Sequence, residues 1–178
     1  LKDAKGASLK ATVREIVKYG DPVLETKAQP VTEFGTAELD QLIADMFETM
    51  YAAKGVGLAA PQVGVSKRLA VIDVSGGEEN GEKIVIINPE IAEKEGTQIG
   101  EEGCLSIPDL RGRVPRARAI TVTAMDRRGE KVEIASLDFP ARVIQHETDH
   151  LDGMLYLERL SPEQRRIAMR EVRESAWF

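Results

Sequence analysis

Gln145-His146-Glu147-Thr148-Asp149-His150-Leu151-Asp152-Gly153 carries the pattern His-Glu-x-x-His. On a helix, residues four apart lie on one face. His146 and His150 can then turn two imidazoles toward one metal ion. Glu147 sits about 100° round the helix from His146, at 3.6 residues per turn. Its carboxylate is left beside the metal, aimed at a water there, which is the working part of this pattern. Surface helices match five-residue patterns by chance, so composition decides. The chain has two histidines, and both are in this stretch.

Two histidines do not complete a site. A catalytic metal commonly takes three protein ligands and keeps one position open. Cys104, the single cysteine, is one candidate, in Glu101-Glu102-Gly103-Cys104-Leu105-Ser106-Ile107-Pro108. A glutamate downstream of the helix is the other, as in gluzincin peptidases; Glu171 and Glu174 stand at a tolerable distance. A free cysteine is most often a small buried hydrophobe, so residue type alone does not choose between them.

A length of 178 residues suits one domain with a real core. A net charge of -6 argues against general nucleic-acid affinity and against a DNA partner. One cysteine excludes an intrachain disulfide framework and fits a reducing compartment. No apolar run approaches the ~20 residues of a membrane span, so no membrane partner is expected. The chain starts at Leu1 and reads as trimmed, which leaves an organellar origin open beside a bacterial cytoplasmic one.

Residues 1–11 are polar and expected to be poorly ordered. Val13 to Tyr19 suits a short strand or turn, and Val23 to Pro30 an irregular stretch or one helical turn. Thr36 is a good N-cap, with Glu38 and Asp40 in the first turn. Leu39, Leu42, Ile43, Met46, Phe47 and Met50 then give one apolar helical face. Gly55 to Gly64 reads as a glycine-rich loop without the Lys-Ser/Thr ending of a phosphate loop. Taken alone, Gln62 in it reads as a loop glutamine facing water. Leu69 to Val74 and Ile84 to Ile87 read as strands, the second stopped by Asn88-Pro89. Cys104 is expected at a strand end. Ile120 to Met125 and Lys131 to Leu137 alternate around Asp126-Arg127-Arg128-Gly129, a hairpin. Asp138 is expected to cap the histidine helix, with Pro140 in its first turn and Gly153 just past its end. Ser161-Pro162 opens a last helix with a thin apolar stripe of Ile167, Met169 and Val172, crowded by Arg165, Arg166, Arg170 and Arg173.

Three segments stand in order: Gly55-Val56-Gly57-Leu58-Ala59-Ala60-Pro61-Gln62-Val63-Gly64, Glu101 to Pro108, and Gln145 to Gly153. With connecting text such as Ile87-Asn88-Pro89 and Val114-Pro115-Arg116, they closely resemble peptide deformylase over residues 12–170. The resemblance implies an α+β fold, a single domain of antiparallel or mixed strands around a central metal-binding helix, with a C-terminal helix. Residues 12–178 are then the catalytic domain. It selects Cys104 with His146 and His150 as ligands and sets aside Glu171 and Glu174. It implies removal of the N-formyl group from new peptides that begin with formyl-methionine, with release of formate.

In that reading Glu147 takes a proton from water and passes it to the leaving amine. The Gln62 amide and the Leu105 backbone N–H receive the developing oxyanion. The peptide pairs with Val56-Gly57 as an added strand. The methionine side chain enters between Val56, Val143 and His146. Arg111 and Arg142 are rim contacts, Arg142 with its head turned outward. A site fitted to formyl excludes the larger acetyl group. Glu102 and Arg116 are expected to pair and hold the Cys104 loop. Ligand types alone suggest zinc; the family implies Fe2+, with Zn2+, Ni2+ or Co2+ in purified protein. The basic C-terminal helix is a candidate for transient ribosome docking.

Overall fold

The computed structural model describes every residue except Leu1 and Ala4. The expectation for residues 1–11 lies outside the described residues at those two positions. Between them and beyond, Lys2 bridges to Ser8, and Asp3 Oδ1 accepts from the N–H groups of Lys5 and Ala7.

Helix α1, Ala37–Ala52, starts where the sequence places it. The Thr36 hydroxyl accepts from the Leu39 N–H at 3.1 Å. Leu39, Leu42, Ile43, Met46, Phe47 and Met50 are all buried. They cover one face of a five-stranded sheet ordered β1-β2-β3-β6-β7. Its strands are β1 (Gly57–Ala59), β2 (Leu69–Ile72), β3 (Ile84–Glu95), β6 (Ala119–Met125) and β7 (Lys131–Leu137), and every neighbouring pair is antiparallel. Helix α2, Asp138–Leu151, covers the other face. Strand β2 is clamped between the two. Leu69 and Val71 meet the α1 cluster, while Ala70 and Ile72 meet α2 residues Ala141, Val143 and Ile144. A strand covered on both sides reads as an unbroken apolar run, as this one does.

A separate two-stranded ribbon, β4 (Gln98–Cys104) and β5 (Ile107–Arg116), carries Cys104 at its tip. Helix α3, Pro162–Glu174, is capped by the Ser161 hydroxyl and packs on β5. No helix among the described residues is long and apolar enough to cross a membrane.

Four local expectations are corrected. Gly55 to Gly64 is not a plain loop: Gly57–Ala59 pairs with β2, and Ala60–Val63 forms a 3-10 turn. Strand β3 does not stop at Asn88-Pro89. It bulges there, with Asn88 at φ 50°, a conformation Asn tolerates. The Asn88 amide pins the chain by bonding both Val31 backbone groups, at 2.8 and 2.9 Å. Asp138 does not cap α2. At φ 57° its carboxylate points away to Arg118, at 3.1 Å, and Leu137 takes the cap position with no side-chain bond. In α3, Ile167 is exposed, and the buried stripe is Ala168 and Val172.

Candidate metal centre

Helix α2 is buried from Ala141 to Leu151, and seven of those residues are polar: Arg142, Gln145, His146, Glu147, Thr148, Asp149 and His150. Buried polar groups are costly unless satisfied, so such a helix is built for a purpose other than core packing. His146 and His150 stand ring edge to ring face, centroids 4.9 Å apart. The tip of β4 brings Cys104 Sγ to 3.4 Å from His150 Nε2. The ligand atoms of Cys104, His146 and His150 all lie within 4.8 Å of one another, the one such group among the described residues. Glu171 and Glu174 are on the exposed side of α3; the gluzincin alternative has no third ligand here.

Glu102, two residues before Cys104 on β4, accepts from His146 Nδ1 at 2.9 Å. That contact leaves His146 Nε2 free for an ion, the usual way a ligating histidine is held. Arg116 grips the same carboxylate at 2.9 and 2.8 Å, so the expected pair is present. Burial would raise the Glu102 carboxyl, but Arg116 and His146 hold it well below the usual carboxylate range. Arg116 also reaches Asp149 on α2 at 2.6 Å, and Arg159 closes on Asp149 at 2.8 Å. Strand, helix and following turn are thereby tied behind the ligands. Tyr156 stacks on the His146 ring, centroids 6.3 Å apart.

The donor set fits a divalent cation. One sulfur and two imidazoles suit zinc or other borderline metals. Burial lowers the His150 pKa, and positive charge on His146 lowers it further, favouring the neutral, ligating form. Burial would lower His146 too, yet Glu147, Cys104 and Glu102 hold it well above its ordinary value. Glu147 Oε1 is buried with no hydrogen-bond partner among the described residues, and burial raises its carboxyl pKa to about 7.

Gln62 does not face water. It is 2 % exposed; its Oε1 accepts from the Ala59 N–H at 3.0 Å, and its Nε2 faces Ser106 Oγ at 3.2 Å and Cys104 Sγ at 3.6 Å. A cleft of about 670 Å³ opens over these groups. Val56, Gly57, Leu105, Val143, His146 and Glu147 line it, with Arg111 toward solvent. Arg142 lines it as well, but not with its head outward: the residue is 4 % exposed, and Nη1 bonds Glu102 at 2.6 Å and the Val114 carbonyl at 2.8 Å. A buried carboxylate within reach holds the guanidinium better than snorkelling would.

The contacts of Glu102 to His146, of Arg142 to Glu102 and of Asp149 to Arg159 were not read from the sequence. One signal existed for the first. Glu102 and Cys104 are two apart on a strand, hence on one face.

The sequence profile of the family described as Polypeptide deformylase matches residues 13–166. The peptide deformylase of Acidobacterium capsulatum is 54% identical over 162 residues, 91% of this chain and 95% of that one. That of Thermodesulfovibrio yellowstonii is 48% identical over 155 residues, covering 87% and 93%. Among solved structures, a peptide deformylase from Legionella pneumophila superposes with a TM-score of 0.86 at 47% identity, covering 92% and 95% of the two chains. The Thermus thermophilus peptide deformylase gives 0.83 at 46% identity, covering 90% and 93%.

Proposed function

The chain belongs to the polypeptide deformylase family, and from that premise we propose how its residues remove the N-formyl group from peptides beginning with formyl-methionine. Cys104, His146 and His150 hold one divalent ion, Fe2+ in the cell, with Zn2+, Ni2+ or Co2+ able to replace it on purification. When bound, the ion supplies Lewis acidity toward the formyl oxygen and the attacking water.

The protein's own groups do the rest. Glu147, with Oε1 unpartnered, accepts the proton that water loses as it attacks the formyl carbon. It then donates that proton to the nitrogen as the C–N bond breaks, so formate and a free amine leave together. Gln62 has its carbonyl occupied by Ala59, which fixes the amide so that only N–H groups face the centre. Nε2 and the Leu105 N–H receive the negative charge that forms on the former carbonyl oxygen. Strand β1 is the edge of its sheet, and Val56-Gly57 at that edge line the cleft. The peptide adds there as a further strand. Its first side chain enters between Val56, Val143, His146 and the stem of Arg142, with Arg111 at the mouth.

Residues 12–178 form the catalytic domain in this reading. The enzyme acts in the cytoplasm on chains leaving the ribosome. Arg165, Arg166, Arg170 and Arg173 on α3 give it a basic surface for brief docking on RNA phosphate, although Arg166 is already paired with Glu163 at 2.7 Å. The observation that carries the reading is Glu147 Oε1, without a partner among the described residues, beside three converging ligands. Formate release from a formyl-Met peptide in anaerobic Fe(II) buffer tests it, with an unformylated peptide as control. Release from the first alone is expected; equal cleavage of ordinary peptide bonds in the control would overturn it.

A further inference from the structure

Glu102 holds more cations than its charge requires. Arg116 alone meets both its oxygens, yet Arg142 Nη1 stands on Oε2 at 2.6 Å as well. Arg142 lies one turn before His146 on α2, four residues away, and both line the cleft. Arg142 Nη1 also donates to the Val114 carbonyl of β5 at 2.8 Å. Arg142 lines the cleft while its head is held on Glu102, so an occupant can pack against its stem. A run of short contacts therefore joins the wall to a metal ligand: Arg142 to Glu102, and Glu102 Oε1 to His146 Nδ1 at 2.9 Å.

We infer that Arg142 is a positioning residue for His146, and that it couples the filling of the cleft to the geometry of the metal ligand. The inference rests on the cleft being the pocket for the first side chain of a formylated peptide. A long side chain packs on the Arg142 stem and holds the guanidinium on Glu102. Glu102 in turn fixes the rotation of the His146 ring, as partners behind a ligand do. A short side chain leaves the stem unsupported. Selectivity for the first residue then shows in turnover as well as in affinity, because the bound side chain is spent on orienting the centre.

Two variants separate this from a merely structural role. Arg142→Met keeps an unbranched stem and removes the guanidinium, while Arg116 still holds Glu102. Gly100→Ala acts from outside the cleft: its Cβ would meet Nη2, Cζ and Nε of Arg142 at 3.3, 3.4 and 3.5 Å. The readouts are the electronic spectrum of the Co(II)-loaded protein, the rate of Co(II) loss to a chelator, and kcat and KM for formyl-Met and formyl-Ala peptides. Arg142→Met is expected to shift the spectrum and lose Co(II) at least ~10-fold faster. Its kcat for formyl-Met should fall toward that for formyl-Ala with little change in KM. Gly100→Ala should move each readout the same way by less, and it decides alone if Arg142→Met does not fold. Wild-type spectra and metal-loss rates overturn the positioning role. An unchanged Met-to-Ala ratio of kcat overturns the coupling. Should the native protein release no formate from either peptide, the pocket reading and the coupling fall with it, while the Co(II) readouts still decide whether Arg142 sets His146.

Discussion

Gly57 and Glu147 meet in a contact that only a missing side chain permits. A Cβ at Gly57 would lie 2.5 Å from Glu147 Oε2 and 3.0 Å from its Cδ. Strand β1 and helix α2 thus locate the carboxylate between them, and the glycine is required for space rather than for its backbone angles. Gly57→Ala is expected to displace the carboxylate while leaving the three ligands alone. A shift of about 1 Å at a catalytic group costs roughly 100-fold in rate. Steady-state turnover of a formyl-Met peptide, with metal per chain measured alongside, checks this. Normal kcat at normal metal content would mean that Gly57 does not set the position of Glu147.

Glu147→Gln removes the proton acceptor and no ligand. Metal content should stay near that of the native protein, while turnover drops at least ~100-fold, the usual size of general acid–base catalysis. The same two measurements read it. A variant that still turns over normally would take the proton transfer away from Glu147.

Cys104→Ala removes one of the three converging donors, whereas Glu171→Ala alters an exposed residue of α3. Elemental analysis after dialysis should find metal retained by the second and lost by the first. Full retention by Cys104→Ala would remove the cysteine from the ligand set.

The segment before α1 offers a test by pH. Asp45 on α1 accepts from the Thr12 N–H at 2.8 Å and from Arg14 Nε at 2.9 Å. Burial would raise its carboxyl, but the Thr12 N–H, the Gln41 amide and Arg14 together hold it below the ordinary 3.8. A depressed carboxylate contributes stability above its unfolded pKa and loses it as pH falls through the folded value. Asp45→Asn should therefore cost about 1.5–3 kcal/mol near neutrality, the range for hydrogen bonds to a charged group. The difference from the native protein should shrink as pH falls below the ordinary 3.8 and through the lower folded value. Urea melts of both proteins across that range measure it, and a constant difference would show that the charge is not what matters. The same segment continues to the site: the Val17 N–H bonds the Gln62 carbonyl and the Tyr19 N–H the Ser106 carbonyl, at 2.8 and 2.9 Å.

Where the sequence was legible, the determinants were local. The face of α1 follows from residues spaced three and four apart, and the β6–β7 hairpin from alternation around a turn at Gly129. The two histidines and Glu147 come from one helical turn and a half. Strand β1 was hidden because three residues beginning with glycine carry no periodicity, and β3 because Asn88-Pro89 reads as a stop while the side chain of Asn88 makes it a bulge. The groups behind the metal were hidden for a different reason. Glu102 meets His146 across 44 residues of sequence and Arg142 across 40. Nothing in Arg142's own neighbourhood says whether its head turns to water or to a carboxylate supplied by another strand.

Strand β1 also bears on how the molecule keeps company with unfolded chains. A sheet edge with open peptide groups is a template for pairing with other chains, and long flat edges invite aggregation. A protein whose partners arrive before they have folded meets that hazard at every encounter. Here the edge strand is only Gly57–Ala59, of which Gly57 lines the cleft, too short to seed a lasting ribbon. The opposite edge, β7, turns Lys131 and Glu133 toward solvent, charges that discourage edge-to-edge stacking. Neither edge gives a second copy of the sheet much to grow on.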